Sequence, residues 1–384
     1  MNKYDAIVAG AGIWGCTVAR VLAESGQRVV VLEKRPAAGG NVRCEIDAET
    51  GIEIHKYGSH IFHTHLPEVW QFVNRFTSFN GYQHKVIASY QGRNYFLPLG
   101  LSLINKFFGV ELKPGEVAEF MKNESHSAAI FDAFFRGYTS KQWGKAPEEI
   151  DPSIIKRVPV RANYDVNYFN DYWQGIPSEG YNAMFDRMLD HENIEVRYNT
   201  AFTLETTDFM NSTNSVPVFY SGPIDALFGY KFGALPWRTL RFETEKLDVA
   251  DYQGTSVVNY TEASVPYTRI HEFKHYHPEG KLADSWGFNA SKTVIMREYS
   301  ATWQPGDEPY YPVASAESAA LLARYQSEVE RFNRQIDESM NRRILVVGGR
   351  LGEYRYYDMD KSIETALKTA KEYLASGVSG RARM

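Results

Sequence analysis

Ala6-Ile-Val-Ala-Gly10-Ala-Gly12-Ile-Trp14-Gly15, closed some dozen residues later by Arg28-Val-Val-Val-Leu32-Glu33, is the stretch that decides the fold. An apolar run of strand length opens onto a G-x-G-x-x-G turn. Helix-compatible residues follow, and a second apolar run ends on an acid. That order is a βαβ nucleotide-binding unit. Gly10 permits the tight turn, Gly12 lets the backbone approach a pyrophosphate, and Gly15 lets the helix lie close on the strand. The N–H groups of the first helical turn and the positive helix end then face the phosphates. Glu33 stands where a carboxylate can take both hydroxyls of a ribose. A G-x-G-x-x-G alone is weak evidence, because glycine-rich turns are common. Here strand, turn, helix, strand and acid all fall in order.

The next segment, Lys34-Arg35-Pro36-Ala-Ala-Gly39-Gly40-Asn41, is a second glycine-rich turn directly after the ribose-binding strand. Such a turn suits FAD, running along its pyrophosphate and ribitol, and is rare in units that bind only NAD. No second G-x-G-x-x-G occurs, which argues against a dehydrogenase that holds two dinucleotides.

Composition bounds the rest. A chain of 384 residues is too long for one simple core. Hydrophobic residues at 43% and charged residues at 23% describe a globular protein. A net charge of −5 and the lack of any basic block exclude nucleic acid as a partner. The most apolar candidate for a membrane span, residues 97–112, is broken by Pro98, Asn105, Lys106 and Glu111. A first strand starting almost at Met1 predicts no signal peptide. The two cysteines, Cys16 and Cys44, lack metal spacing, and Cys16 falls in the first helix as a small core residue. A reducing cytoplasm fits. Most of the 25 Tyr, 22 Phe and 7 Trp belong to cores, yet tyrosine in such number also suits stacking on sugars and bases.

Along the chain, His55, His60, His63 and His65 fall within eleven residues. No Cys, Asp or Glu joins them at ligand spacing, so no metal is expected. Residues 67–77 and 101–147 read as helical, with apolar spacing at Ala129, Ile130, Ala133 and Phe134. Residues 83–98 alternate like a hairpin around Gln91-Gly92-Arg93-Asn94. Residues 154–177 look extended and aromatic. A helix is expected over 179–190, strands over 194–202 and 216–220, and a β-rich region over 231–303. A helix over 316–338, a buried strand from Ile344 ending in Gly348-Gly349-Arg350, and a last helix over 363–374 close the chain. The fold class is α/β: a Rossmann-like FAD-binding domain with an inserted helical domain and an inserted antiparallel β-sheet domain. The boundaries expected are 1–76, 178–230 and 315–384 for the discontinuous FAD-binding domain. The helical substrate and lid domain takes 100–150. The β-sheet domain takes 77–99, 151–177 and 231–314.

Further segments carry a resemblance. They are His55–Thr64, Gly137-Tyr138-Thr139-Ser-Lys-Gln-Trp143-Gly144, Ile154-Ile-Lys-Arg157-Val-Pro-Val-Arg161, Ser221-Gly-Pro-Ile-Asp225, Val265-Pro-Tyr-Thr-Arg269-Ile270, Glu308-Pro-Tyr-Tyr311-Pro312 and Gly348 to Met359. Together with the two glycine turns, they make the chain resemble the bacterial UDP-galactopyranose mutase family along nearly its whole length. The glycine turns alone say only flavoprotein. The Gly-Tyr-Thr-x-Lys-Gln-Trp, Val-Pro-Tyr-Thr-Arg and Tyr-Tyr-Asp-Met segments are specific.

The resemblance implies a reaction: ring contraction of UDP-galactopyranose to UDP-galactofuranose and its reverse, through a reduced-flavin N5–sugar adduct with no net redox. It implies noncovalent FAD, reduced for activity, a cytoplasmic homodimer, and a place in making galactofuranose for cell-wall polysaccharide. It makes Arg157 and Arg269 the substrate-phosphate arginines and, with His60, the catalytic candidates. Arginine suits a diphosphate because its charge is permanent and its fork is bidentate. With Lys156 and Arg161 nearby, a surface salt bridge is the alternative for Arg157. Phe134, Phe135, Tyr138, Thr139 and Trp143 correspond to the uridine pocket and its lid, although helical spacing alone would make the aromatics ordinary core. Tyr168, Asn259, Tyr311 and Tyr356 match the remaining substrate contacts. The cofactor set is Gly10, Gly12, Trp14, Gly15, Glu33, Lys34, Gly40, Asn41, His60, Ile61, Phe202, Arg350, Tyr357, Asp358 and Met359, with no metal ligand. One departure stands out. Where many bacterial members carry Asn, this chain has His84, a substrate-site group that can titrate.

Two other classes share parts of this pattern. A flavin oxidoreductase of the amine-oxidase kind would share residues 1–41 but need not share Trp143, Arg157 or Arg269. A non-catalytic nucleotide-sugar-binding flavoprotein would bind without turnover.

Overall fold

The computed structural model describes residues 3–150, 159–204, 216–277, 286–337 and 344–378. The opening segment forms the strand Ala6–Ala9, the helix Ile13–Glu24 and the strand Val29–Leu32. These strands sit in a five-stranded parallel sheet, in the order Leu345–Val347, Val218–Tyr220, Ala6–Ala9, Val29–Leu32, Ile194–Arg197. The inner runs, AIVA, VVVL and VFY, are apolar at nearly every position because both sheet faces are covered. The helix Ile13–Glu24 packs between this sheet and the helices Gly180–Leu189 and Met359–Tyr373, so nine of its twelve residues are buried. Its close approach needs Gly15: a Cβ there would sit 1.9 Å from the Gly10 carbonyl oxygen.

A seven-stranded sheet stands beside it, in the order Tyr311–Pro312, Trp237–Leu247, Thr293–Thr302, Arg269–Glu272, Val257–Tyr260, Val86–Tyr90, Arg93–Leu97. Its pairs are antiparallel except one: Val257–Tyr260 runs parallel to Val86–Tyr90. The expected antiparallel sheet is therefore mixed at the seam where two distant chain segments meet. No tight turn joins those two strands, so nothing forces them to be antiparallel.

Between the hairpin and residue 150 the chain is helical, in short pieces: Leu101–Phe108, Val117–Lys122, Glu124–Ile130 and Gly137–Trp143. Leu101, Leu103, Ile104, Ile130 and Phe134 form a small core of their own against Tyr95. The turn Phe131–Arg136 is a wider, π-type coil, not the regular helix that the apolar spacing predicts. Two further boundaries differ from the sequence reading. The strand expected over 194–202 stops at Arg197. The last helix begins at Met359, a turn earlier than residue 363, with Asp358 in extended conformation just before it. Reading the start from the first apolar residue overlooked Asp358, a residue type favoured at helix starts. Among the described residues no helix is long and apolar enough to cross a membrane.

Candidate active site

The two sheets meet along a cleft of about 940 Å³. One end is built by the βαβ unit and its second glycine turn. Glu33 is buried there; its Oε2 accepts the Ala11 N–H at 2.7 Å and its Oε1 the Arg35 N–H at 2.8 Å. Each carboxylate oxygen retains a second lone pair for a ribose hydroxyl. Gly12 and Gly40 face each other so closely that a Cβ on Gly40 would lie 3.1 Å from the Gly12 Cα, filling the channel between the two turns. Trp14 Nε1 and Arg35 Nη1, on cleft-lining residues, are buried and without a partner. A glycine-walled cradle at a helix N-terminus, a ribose-binding acid and two unpaired donors fit the pyrophosphate and sugar of FAD. Gly10, Lys34, Asn41, His60, Ile61, Phe202, Arg350, Tyr357, Asp358 and Met359 line the same cleft. Gly15 does its work one layer back, against Gly10.

At the other end, sheet register builds the floor. Asn259 lies opposite Arg269, and Arg269 opposite Glu298, on three adjacent strands. Arg269 Nε is 3.2 Å from Glu298 Oε1, an ion-pair contact in which the Nε–H itself is not aimed at the carboxylate. Arg269 Nη2 donates to the Tyr138 hydroxyl at 2.5 Å. Burial alone would raise the Glu298 pKa; the Arg269 charge and hydrogen bonds from His271 and Thr268 outweigh it and hold the carboxyl down at about 2. Burial likewise opposes the charge on Arg269, and Glu298 overrides it, pushing that pKa up. The Asn259 Oδ1 is buried and unpartnered, open to a ligand donor. Tyr311 and Tyr356, with ring centroids 5.9 Å apart, also line the cleft.

His84 faces this floor. Its Nδ1 lies 3.0 Å from the Tyr82 hydroxyl, and its ring packs edge-to-face with Tyr168 and stacked with Phe169. Burial, then the charge of Arg269, pushes its pKa down to about 3, so it is a neutral imidazole rather than the titrating group its residue type suggests. His60 is also neutral, pushed to about 4 by burial and by Arg350; its Nδ1 is 2.7 Å from the Gly58 carbonyl, which it can only approach as a donor.

The segment Gly137–Trp143 is bolted to the sheet. A Cβ on Gly137 would meet the Thr261 carbonyl oxygen at 2.4 Å. Lys141 Nζ lies 2.6–3.0 Å from the carbonyl oxygens of Tyr260, Glu262, Val265 and Tyr267. The lysine of the Gly-Tyr-Thr-x-Lys-Gln-Trp segment is thus a strut for the loop before Arg269. This fixes Tyr138 and Trp143 on the cleft wall.

Not every candidate reaches the cleft. Phe134 lies in the helical core against Tyr95 and Phe107, where its helical spacing alone would put it. Phe135 packs against the same helical core, and Thr139, in the helix Gly137–Trp143, lies off the cleft wall. Arg157 lies outside the described residues. Sequence reasoning missed Glu298, Ser59, Phe169 and Arg35, which also line the cleft. Only the strand register exposes Glu298, an acid placed opposite Arg269. Pairing of Cys44–Ile46 with Glu53–His55 also brings Cys44, Glu53 and His55 within 4.8 Å of one another behind the cleft, a grouping invisible in their spacing.

Comparison with known proteins agrees with this geometry. Residues 133–356 match the profile of the GLF family, UDP-galactopyranose mutase, and residues 8–76 that of an NAD(P)-binding Rossmann-like domain. A probable UDP-galactopyranose mutase of Klebsiella pneumoniae is 38% identical, over 98% of this chain and 96% of its own. A dTDP-fucopyranose mutase of Escherichia coli is 36% identical, over 97% and 99%. The crystal structure of a reduced UDP-galactopyranose mutase superposes with a TM-score of 0.71 at 16% identity, covering 98% of this chain and 97% of that one.

Proposed function

Given that the chain belongs to the UDP-galactopyranose mutase family, we propose that Arg269 is the arm that holds the substrate diphosphate, on a floor made by the row Asn259–Arg269–Glu298. The protein is an isomerase that interconverts UDP-galactopyranose and UDP-galactofuranose, and its cofactor is FAD. The observation that carries the assignment of Arg269 is that one cleft joins the glycine cradle to a partly buried, permanently charged arginine.

FAD, when bound and reduced, supplies the nucleophile for the anomeric carbon. The chain's own residues bind, orient and neutralise. Breaking the sugar–phosphate bond leaves charge on the UDP oxygens, and a fixed cation beside them stabilises it without reorganising. Glu298 keeps Arg269 in place, and as a locked ion-pair partner it is not free to move a proton. Tyr311, Tyr356 and Tyr168 supply flat faces and hydroxyls for the sugar. Trp143 and Tyr138 take the nucleotide side, and Arg157 is the second phosphate arm. Neutral His84 offers the sugar a hydrogen bond without adding a titrating charge to the site. Arg350 beside His60 favours negative charge at the cofactor end.

The family resemblance supports a cytoplasmic homodimer that supplies galactofuranose for cell-wall polysaccharide; light scattering after gel filtration tests the dimer. The functional test is product analysis after incubating dithionite-reduced protein with UDP-galactofuranose. The expected product is UDP-galactopyranose with no reductant consumed per turnover. Oxygen or NADPH use matched to product, or tight binding without turnover, would overturn the reading. The 36% relative named for dTDP-fucopyranose puts that sugar nucleotide in the same assay.

A further inference from the structure

Behind the cleft floor runs a chain of hydrogen bonds that the reaction as described does not use. The Tyr276 hydroxyl donates to Ser59 Oγ at 2.5 Å. Ser59 Oγ lies 2.5 Å from His271 Nδ1, and His271 Nε2 lies 3.0 Å from Glu298 Oε2. Glu298 reaches Arg269 through its other oxygen. The direction of every bond is fixed. An ionised carboxylate only accepts, so His271 Nε2 carries the proton. Burial pushes the His271 pKa down and keeps the imidazole neutral, so Nδ1 is bare and accepts from the Ser59 hydroxyl, leaving Ser59 Oγ to accept from Tyr276.

Both ends are anchored. Tyr276, His271 and Glu298 are buried, and the Tyr276 ring stacks on His55 at 5.1 Å. His55 Nδ1 in turn accepts the His60 N–H at 3.0 Å. Ser59 sits between Gly58 and His60, in the turn that forms the cofactor wall. The chain therefore ties the arginine on the substrate floor to the turn on the cofactor side, through one imidazole.

We propose that His271 is a positioning residue for Arg269: by occupying one oxygen of Glu298 from the Ser59 side, it fixes the other oxygen, and with it the guanidinium, relative to the cofactor wall. Without His271, Glu298 has an unpaired oxygen and is free to turn wholly onto Arg269, competing with the diphosphate for the same N–H groups. The inference rests on the reading of Arg269 as the phosphate arm.

The test reads UDP affinity by calorimetry on the oxidised, FAD-loaded protein, so no turnover is involved. Phe at position 271 keeps the ring against Phe273 (centroids 5.9 Å apart) but removes both hydrogen bonds. His271→Phe is expected to weaken UDP binding about tenfold, while His271→Gln, which can still donate to Glu298 and accept from Ser59, stays within about threefold. In an Arg269→Ala background, His271→Phe is expected to change nothing further, because a positioning effect vanishes with the group it positions. Unsubstituted affinity in His271→Phe, or a loss that adds in full to that of Arg269→Ala, overturns the inference while leaving Arg269 as the phosphate arm. Unsubstituted affinity in Arg269→Ala alone overturns both. Should His271→Phe not fold, Ser59→Ala cuts the same chain at its half-buried end. A weakening of about threefold that disappears in the Arg269→Ala background supports the inference, and unchanged affinity overturns it.

Discussion

Arg269 and Glu298 face each other directly across an antiparallel strand pair, at 3.2 Å, with Glu298 almost wholly buried. A pair with one fully and one partly buried partner stabilises less than it orients, because desolvation of the charges offsets much of their attraction. Removing either partner strands the other.

Arg269→Ala is therefore expected to cut turnover about a hundredfold or more with FAD still bound, since a desolvated phosphate contact is worth roughly 2–5 kcal/mol. Arg157→Ala is expected to behave alike. Steady-state kinetics with a flavin absorbance spectrum of each variant checks this. Full activity in Arg157→Lys or Arg269→Lys would refute bidentate recognition.

Lys141→Met is expected to lower stability, because it removes the strut that ties the Gly137–Trp143 segment to the loop before Arg269. The ammonium sits among four carbonyl oxygens, and each buried acceptor left without a donor costs about 1–3 kcal/mol. A thermal melt that drops by several degrees is the expected result; an unchanged midpoint would mean that water replaces the ammonium without loss.

The buried histidines predict acid sensitivity with a definite sign. Burial lowers the pKa values of His55, His60, His84 and His271 below the unfolded value of about 6.5. Between their folded and unfolded pKa values the unfolded chain binds more protons, so stability falls as pH falls. For His60 and His84, held at about 4 and about 3, the loss from pH 6.5 to 5 is up to roughly 2 kcal/mol each. His275, raised by Glu272 and Asp251 against its burial, works in the opposite sense but alone. Melts across pH 5–8 should therefore show a steep decline below 6.5.

His84→Asn is expected to leave the pH profile of kcat/KM unchanged between pH 6 and 8, because the imidazole is already neutral there. A profile limb that disappears in the variant would mean His84 titrates in the working enzyme.

Gly15→Ala is expected to yield protein without FAD. Its Cβ would collide with the Gly10 carbonyl and push the helix N-terminus off the cradle. Chromatography of the cofactor released on denaturation checks this, and FAD rather than FMN should leave the unsubstituted protein.

Much of this was legible in the chain. Gly10 to Glu33 spells its own βαβ unit, because strand, turn, helix, strand and acid follow one another along the chain and Gly15 answers to nearby Gly10. Lys141 and Gly137 were legible as a motif but not as a role, since the carbonyls they meet lie far along the chain, from Tyr260 to Tyr267. Glu298 was not legible at all. It becomes a site residue only through the register that sets it opposite Arg269, and register is a property of pairing rather than of sequence spacing. Phe134 shows the reverse case: helical spacing put it in a core, and that is where it packs.

The parallel seam between Val86–Tyr90 and Val257–Tyr260 also bears on how the molecule is made. A ribosome releases the hairpin of residues 86–97 long before the strand that completes its sheet exists. Until then the edge of Val86–Tyr90 stays unpaired, and Arg269 and Glu298 have not been synthesised. The substrate floor thus cannot form until Thr293–Thr302 has been made, and a chain cut short before residue 293 would lack that floor together with the strand Leu345–Val347 and the helix Met359–Tyr373 that complete the cofactor side.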